Sequence, residues 1–333
     1  MKVAVFLADS LAPTAGGNFS YYDKLVRAID NHNFAQPLEL CFVGRIDPIG
    51  FNLKKPYIRL SSPWFHRLFL LFRRSDLTGL FRRRYAINID LANYIDLKRL
   101  RKHNVDLILV PKQFAEAVDN VPFMTINWDA AHKSSYAFPE FIDDYIGRED
   151  WFRLYIQKGL CTIVESEASK EEFHQCYAIS KSKLEVVPLF PGGVVDMTVP
   201  PGTQTAALEK FGLIGKRYFF YPAQFWGHKN HYNLVLAFRR LLAISGRTDL
   251  KLVLTGSDKG NKDYIKHVVM ENKLNEHVDV LGFVSNEEMF TLYKNATALV
   301  MPTFLGHTNM PVLEEATLGT AVICSDLSGH RET

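Results

Sequence analysis

The sequence predicts an α/β protein made of two doubly wound, Rossmann-like domains. Three observations carry that expectation. Short apolar runs alternate with longer segments of helical periodicity along most of the chain, the pattern of parallel strands covered by helices on both faces. The alternation pauses at residues 188–202, which hold four Pro and three Gly and interrupt both helix and strand. The 333 residues are enough for two domains of ordinary size. The expected division is a first domain over 1–190, a linker over 191–202 and a second domain over 203–333.

In chain order, VAVFL at 3–7 reads as a buried strand followed by a loop of small residues, and 19–29 as a helix. Residues 38–43 form the next strand, and 85–103 have helical spacing. VDLILV at 105–110, then 123–127, 161–165 and 184–187 complete the first sheet, with helices at 143–158 and 167–177. Beyond the linker, strands fall at 218–221, 250–254, 278–281, 298–301 and 321–324. Helices alternate with them at 232–242, 262–271, 287–293 and 312–318. In such sheets ligands bind at the carboxyl ends of strands, so the loops there are where chemistry is sought.

Composition narrows the class. Hydrophobic residues make up 47% and charged residues 23%, as in ordinary globular proteins. No run approaches the ~20 apolar residues of a membrane span, and the apolar run 3–8 is too short for a signal-peptide core, so the expected location is cytoplasmic. Cys41, Cys161, Cys176 and Cys324 are scattered without a C-x-x-C pair, which predicts buried free thiols. No His, Cys or carboxylate cluster has metal-ligand spacing, and no metal or cofactor is expected. The net charge is +3 but uneven: residues 54–102 hold thirteen Lys or Arg against three Asp. Within it, WFHRLFLLFRRSDLTGLFRRRY at 64–85 mixes rings with arginines. That mixture suits the headgroup region of an anionic membrane; an amphipathic segment packed on its own sheet reads equally well. No nucleic-acid motif accompanies the charge, so no nucleic acid partner is expected.

Four loops carry candidate chemistry. PTFLGHTNMPVLEE at 302–315 runs from a strand into a helix that Pro311 can open. Amides of His307, Thr308, Asn309 and Met310 near a helix start suit a diphosphate, and Glu314, one turn in, suits ribose hydroxyls. YPAQFWGHKN at 221–230 places Lys229 at a strand-to-helix corner, where its ammonium can neutralise a phosphate. Gly16 and Gly17, after the first strand, let backbone approach a ligand closely, although on the residues alone a plain turn is the default reading. NWDAAHKSSYAFPE at 127–140 sets Asp129 and His132 in a polar loop at a strand's carboxyl end.

These loops together resemble glycosyltransferase family 4, whose signature is two Glu separated by seven residues around a P-V-L-E-A helix start. The resemblance implies the two-domain GT-B fold and a second domain that is incomplete at its C-terminus, with activity below the norm. It makes Glu314 the ribose-binding Glu and puts Gly306 where the family has its sugar-binding Glu. Lys229 matches the diphosphate-gripping Lys of a G-R-x-x-x-x-K-G pattern, with Gln224 at the Arg position and His228 beside it as a substitute charge. Gly16 and Gly17 would face the donor. The W-D-x-x-H…F-P-E stretch would turn His132 and Asp129 into the cleft as catalytic residues. Gly282-Phe283-Val284 and Thr255-Gly256 would meet the base through backbone, and residues 325–332 resemble the family's tail.

The implied reaction moves a sugar from a nucleoside diphosphate to the hydroxyl of a glycan or lipid-linked acceptor. It proceeds with retention, in the assembly of bacterial cell-surface polysaccharide or lipopolysaccharide, at the inner face of the membrane if 64–85 binds it. Two rivals stand beside it: a sugar-nucleotide epimerase on the same fold, and a non-catalytic binding subunit, a reading that Gly306 and Gln224 feed.

Overall fold

The structure is a computed structural model and describes residues 1–7, 16–34, 37–48, 50–61, 64, 91–113, 120–135, 137–142 and 145–333. The basic stretch 64–85 therefore lies outside the described residues except for Trp64. Among the described residues no helix is long and apolar enough to cross a membrane.

Two all-parallel sheets form. The first takes β1 (Lys2–Leu7), β2 (Glu39–Gly44), β3 (Tyr57–Arg59), β4 (Leu107–Val110), β5 (Phe123–Ile126), β6 (Cys161–Val164) and β7 (Leu184–Val186), in the spatial order β3-β2-β1-β4-β5-β6-β7. The second takes β8 (Arg217–Pro222), β9 (Leu250–Thr255), β10 (Val278–Gly282), β11 (Ala298–Met301) and β12 (Ala321–Cys324), in the order β10-β9-β8-β11-β12. Central strands such as β1 and β9 are buried along nearly their whole length, as parallel strands covered on both faces must be. In each sheet the order reverses next to the first strand, beside β4 in one and β11 in the other, and crevices open at such switch points.

The helices between them are α1 (Gly17–Asn31), α2 (Leu91–Lys102), the short α3 (Ala131–Ser134), α4 (Tyr145–Leu154) and α5 (Glu167–Tyr177) in the first half. The second half has α6 (Pro201–Lys210), α7 (His231–Ser245), α8 (Lys262–Glu271), α9 (Asn286–Asn295) and α10 (Met310–Leu318). Their ends follow local chemistry. The Ser166 side chain caps α5 by accepting from Ser169 N–H, and Ser285 with Glu288 forms a capping box on α9. Gly319, at φ +84°, ends α10 in a left-handed turn that glycine adopts at little cost.

Three features differ from the sequence expectation. β3 and α6 were not anticipated; β3 is only three residues long, and α6 opens on Pro201, inside the expected linker, because proline is well tolerated in a helix's first turn. The cysteines are free, but only Cys41 is buried: Cys161 and Cys176 are half-buried, and Cys324 is exposed, since β12 is an edge strand whose Ala321 and Ile323 are also exposed.

The largest core lies between the second sheet and its helices, around Tyr218, Phe220, Phe225, Leu252 and Leu299. A small cluster joins the halves: Tyr21 of α1, Ile126 of β5 and Met310 of α10 are buried together, with Trp128 and Phe190 against them. Tyr21 meets Trp128 edge-on at 4.3 Å and stacks on Phe190 at 4.6 Å between ring centroids. The linker is tied on both sides. Lys24 Nζ donates to Pro191 O at 3.0 Å and pairs with Asp196 at 2.8 Å, while Gly192 N–H donates to Glu314 at 3.2 Å. A Cβ on Gly192 would lie 2.3 Å from that carboxylate oxygen, so a side chain here would have to displace the Glu314 carboxylate.

Candidate functional site

A cleft of about 420 Å³ opens between the two sheets, at the carboxyl ends of β1, β4, β8 and β11. Its first wall includes Gly17, Tyr21, Gln113, Trp128, Asp129, Glu140 and Glu165; its second includes Gln224, Trp226, His228, Lys229, Thr308 and Asn309.

Lys229 is positioned by the turn that holds it. The 3-10 turn Gly227–Lys229 ends on Asn230 in the left-handed region, and Asn230 Nδ2 donates to Pro302 O at 2.9 Å. The buried Tyr221 hydroxyl donates to Lys229 O at 2.8 Å. Lys229 Nζ in turn donates to Asn309 Oδ1 at 3.0 Å. Burial lowers its pKa to about 8, against the pull of Asp129 and Glu165, so the ammonium stays charged at neutral pH. Asn309 is steadied from behind, its Nδ2 lying 2.8 Å from His330 Nε2. Gly306, at φ +103°, leaves room for that amide; a Cβ would lie 2.9 Å from Asn309 Nδ2. The lysine, the asparagine and the start of α10 thus form one preorganised wall rich in donors.

The opposite wall carries Asp129, Glu140 and Glu165 together with Arg148, and its carboxylates reach across. Glu165, at the end of β6, accepts from Thr308 N–H at 2.9 Å. Burial pushes its carboxyl up to about 7, Thr308 pulls it down and Asp129 adds to the rise. Glu140 accepts from His228 N–H at 3.0 Å and meets its Nδ1 at 2.5 Å. Glu172 lies 2.8 Å from His307 Nε2 and accepts from Ala130 N–H at 2.9 Å. Burial raises Glu172, but His307 and its other donors outweigh that and hold it below the usual carboxylate range. Burial likewise pulls His307 down, and Glu172 more than restores it, so the imidazole titrates above its ordinary value. At the chain's end, both Glu332 oxygens accept from the first amides of α5, Glu167 N–H and Ala168 N–H.

The sequence-predicted residues divide. Gly17, Gln224, Lys229, Thr308, Asn309, Met310 and Asp129 line the cleft. Gly16 caps α1 at φ +68° and packs against Gln224, whose Nε2 would lie 3.5 Å from a Cβ there. Gln224 Nε2 donates to Ser257 Oγ at 3.1 Å, and its Oε1 accepts from Trp226 Nε1 at 3.0 Å. Asp129 Oδ1 accepts from Ala131 N–H at 3.0 Å, shaping its own loop.

His132 and Glu314 stand elsewhere than expected, Phe283 is not among the residues lining the cleft, and His228 lines it without the expected charge. His132 does not face the cleft. It is fully buried, stacked on Phe152 at 5.1 Å, with Nε2 2.8 Å from the Tyr177 hydroxyl and 3.1 Å from Glu149. The cause is α3, which turns residue 132 inward while Asp129 and Ala131 line the opening. Glu314 is also turned away, accepting from the Tyr293 hydroxyl at 2.5 Å and from Gly192 N–H; burial raises its pKa. Phe283 is 65% exposed beyond β10, an edge strand whose end lies away from the switch point. His228 cannot replace the charge that Gln224 lacks: burial and then Lys229 lower its pKa to about 4, against Glu140.

Glu165 and Glu172 were missed. Glu165 directly follows β6, so the rule that sites form at strand carboxyl ends would have found it. Glu172 lies mid-helix on α5, and the sequence gives no sign that it faces another domain.

Residues 205–333 match the family model described as Glycosyl transferases group 1. O-antigen chain mannosyltransferase B of Escherichia coli is 27% identical over 132 residues, 40% of this chain and 34% of that protein. The match thus spans about a third of that relative's length. Among solved structures, Anabaena HepE in complex with UDP and glucose aligns with 100% of this chain and 82% of its own at 15% identity and a TM-score of 0.64. WaaG, a glycosyltransferase involved in lipopolysaccharide biosynthesis, aligns with 99% of this chain and 82% of its own at 14% identity and a TM-score of 0.62. Residues 205–333 thus match a Glycosyl transferases group 1 domain, in a chain whose two parallel-sheet domains have the GT-B fold of the glycosyltransferases it resembles.

Proposed function

We propose that this chain is a glycosyltransferase that takes a sugar from a nucleoside diphosphate and passes it to an acceptor hydroxyl. The observation that carries the reading is the second wall of the cleft: Lys229 held against Asn309, the N-cap of α10, beside the Thr308 amide that precedes it. When a glycosyl–phosphate bond breaks, negative charge grows on the leaving diphosphate. A fixed ammonium and helix-terminal amides stabilise that charge most where water is largely excluded. Gln224, on the same wall, adds hydrogen bonds without charge.

The acceptor enters from the first wall, past Trp128 and Asp129. No paired carboxylates at glycosidase spacing are needed if the departing phosphate takes the acceptor proton on the face it leaves, which gives retention at the anomeric carbon. The family match and the named relatives support a role in cell-surface polysaccharide or lipopolysaccharide assembly. An acceptor carried on lipid would suit the basic stretch 64–85 as a contact with anionic membrane on the cytoplasmic side.

The test is incubation with a panel of nucleoside-diphosphate sugars and short glycan acceptors, following nucleotide release and the product's anomeric configuration by NMR. One donor should be consumed, with its configuration retained in the product. Epimerised sugar nucleotide formed without acceptor would favour the epimerase, and a chain that binds no donor would overturn the proposal.

A further inference from the structure

The two walls of the cleft are not independent. Thr308 lines the cleft, and its N–H is already taken by a carboxylate of the opposite domain, Glu165. Glu165 is 6% exposed and lines the same cleft as Lys229 and Asn309. A carboxylate and a phosphate ask for the same partners, namely N–H donors and a nearby cation. An anion seated on Thr308 and Lys229 would meet Glu165 in its own place and be repelled by it.

Resting on the glycosyltransferase reading above, we propose that Glu165 is a built-in occupant of the phosphate seat, an autoinhibitory contact that a donor's diphosphate must displace. The exchange has a structural consequence. Releasing Thr308 removes one of the ties between the halves, leaving among others Glu140 on His228, Glu172 on His307 and Glu332 on the first amides of α5. Donor binding therefore loosens one contact of the closed cleft while it fills another.

The groups facing Glu165 set its pH behaviour. Asp129 and burial favour its neutral form, while Thr308 and His307 favour the carboxylate. Lys229 and the Tyr21 hydroxyl also feel its charge. With the carboxyl titrating near 7, the occupant is charged at pH 8 and largely neutral at pH 6, so its competition fades as the solution becomes acidic.

Inorganic pyrophosphate is a probe free of any assumption about base or sugar. Its affinity is measured by calorimetry on the full chain for wild type, Glu165→Gln, Glu165→Ala and Lys229→Ala. Both Glu165 variants should bind pyrophosphate about tenfold more tightly than wild type at pH 8, the scale of one charge-assisted contact. The ratio of variant to wild type should shrink towards one at pH 6, a comparison in which the probe's own titration cancels. A residue with a merely structural role would weaken binding when removed. Equal or weaker binding by both variants at pH 8, with Lys229→Ala still impaired, overturns the autoinhibitory contact and leaves the phosphate seat standing. If no variant binds and Lys229→Ala changes nothing, the seat itself is wrong and both readings fall.

Discussion

The two walls of the cleft differ in kind. The second-domain wall is fixed by local structure: the donor Lys229 on its turn, the Asn309 amide that accepts from it and is braced by His330, and the start of α10. The first domain reaches across to it with acceptors: Glu140 and Glu165 on the cleft wall, which also carries Arg148, and Glu172 on α5. One wall is complete without a partner, whereas the other spends its carboxylates holding the first. The difference teaches that closure of this cleft and occupation of its anion seat draw on the same donors. A ligand that is itself an anion competes with the contacts that shut the cleft.

The largest expected effect comes from the donor wall. Lys229→Ala should weaken nucleoside-diphosphate binding roughly ten- to a hundredfold, since a hydrogen bond to a charged group contributes about 1.5–3 kcal/mol. Titration with the nucleotide checks it, and an unchanged affinity would remove the distinction between the walls.

On the acceptor wall the expected effect is on stability. Glu172→Ala leaves Ala130 N–H and His307 without their buried carboxylate, at a cost of about 1–3 kcal/mol. Denaturant unfolding at pH 7 reads this directly. The sign with pH follows from the depressed carboxyl of Glu172. Its contribution is present above the ordinary carboxylate range and is lost as pH falls through its lower folded value. The difference between wild type and variant should therefore narrow in acid.

The fold was legible because its pattern is local and repeated. Runs such as VAVFL and the alternation after residue 202 name their own strands and helices, and the edges differ by only a few residues. The donor wall was legible for a related reason: Lys229, Thr308 and Asn309 lie in two short loops, each between a strand and a helix. The acceptor wall was not. Glu165 and Glu172 gain their meaning from residues 143 and 135 positions away, and spacing within one segment carries no trace of that. His132 fails in the opposite way. Its motif suggested the cleft, but one turn of α3 decides which residues of the loop face outward, and it turns His132 into the core. Glu314 is similar: its position in the helix is as expected, while Tyr293 and Gly192 hold its carboxylate.

That contrast yields a sharper comparison. His132→Ala should lower stability by about 2–4 kcal/mol, as truncation of a large, fully buried, hydrogen-bonded ring does. It should leave nucleotide affinity within about twofold, because separate sites contribute nearly independently. Loss of affinity without loss of stability would return His132 to the site.

A smaller effect is the pH dependence of the seat. Lys229, with its pKa lowered to about 8, is charged below that value and loses its charge above it. Glu165, near 7, gains its charge over the lower part of the same range. Both changes oppose an anion as pH rises, so sulfate, which does not titrate in this range, should bind progressively less well from pH 6 to pH 9. A flat profile would mean that neither group faces the anion.

The most direct test of the central claim is a titration of wild type and Lys229→Ala with a panel of nucleoside diphosphates at pH 7. The account predicts saturable binding of at least one by the wild type and a loss of about tenfold or more in the variant. Equal affinity in the two proteins, or binding of no nucleoside diphosphate by the wild type, would contradict it.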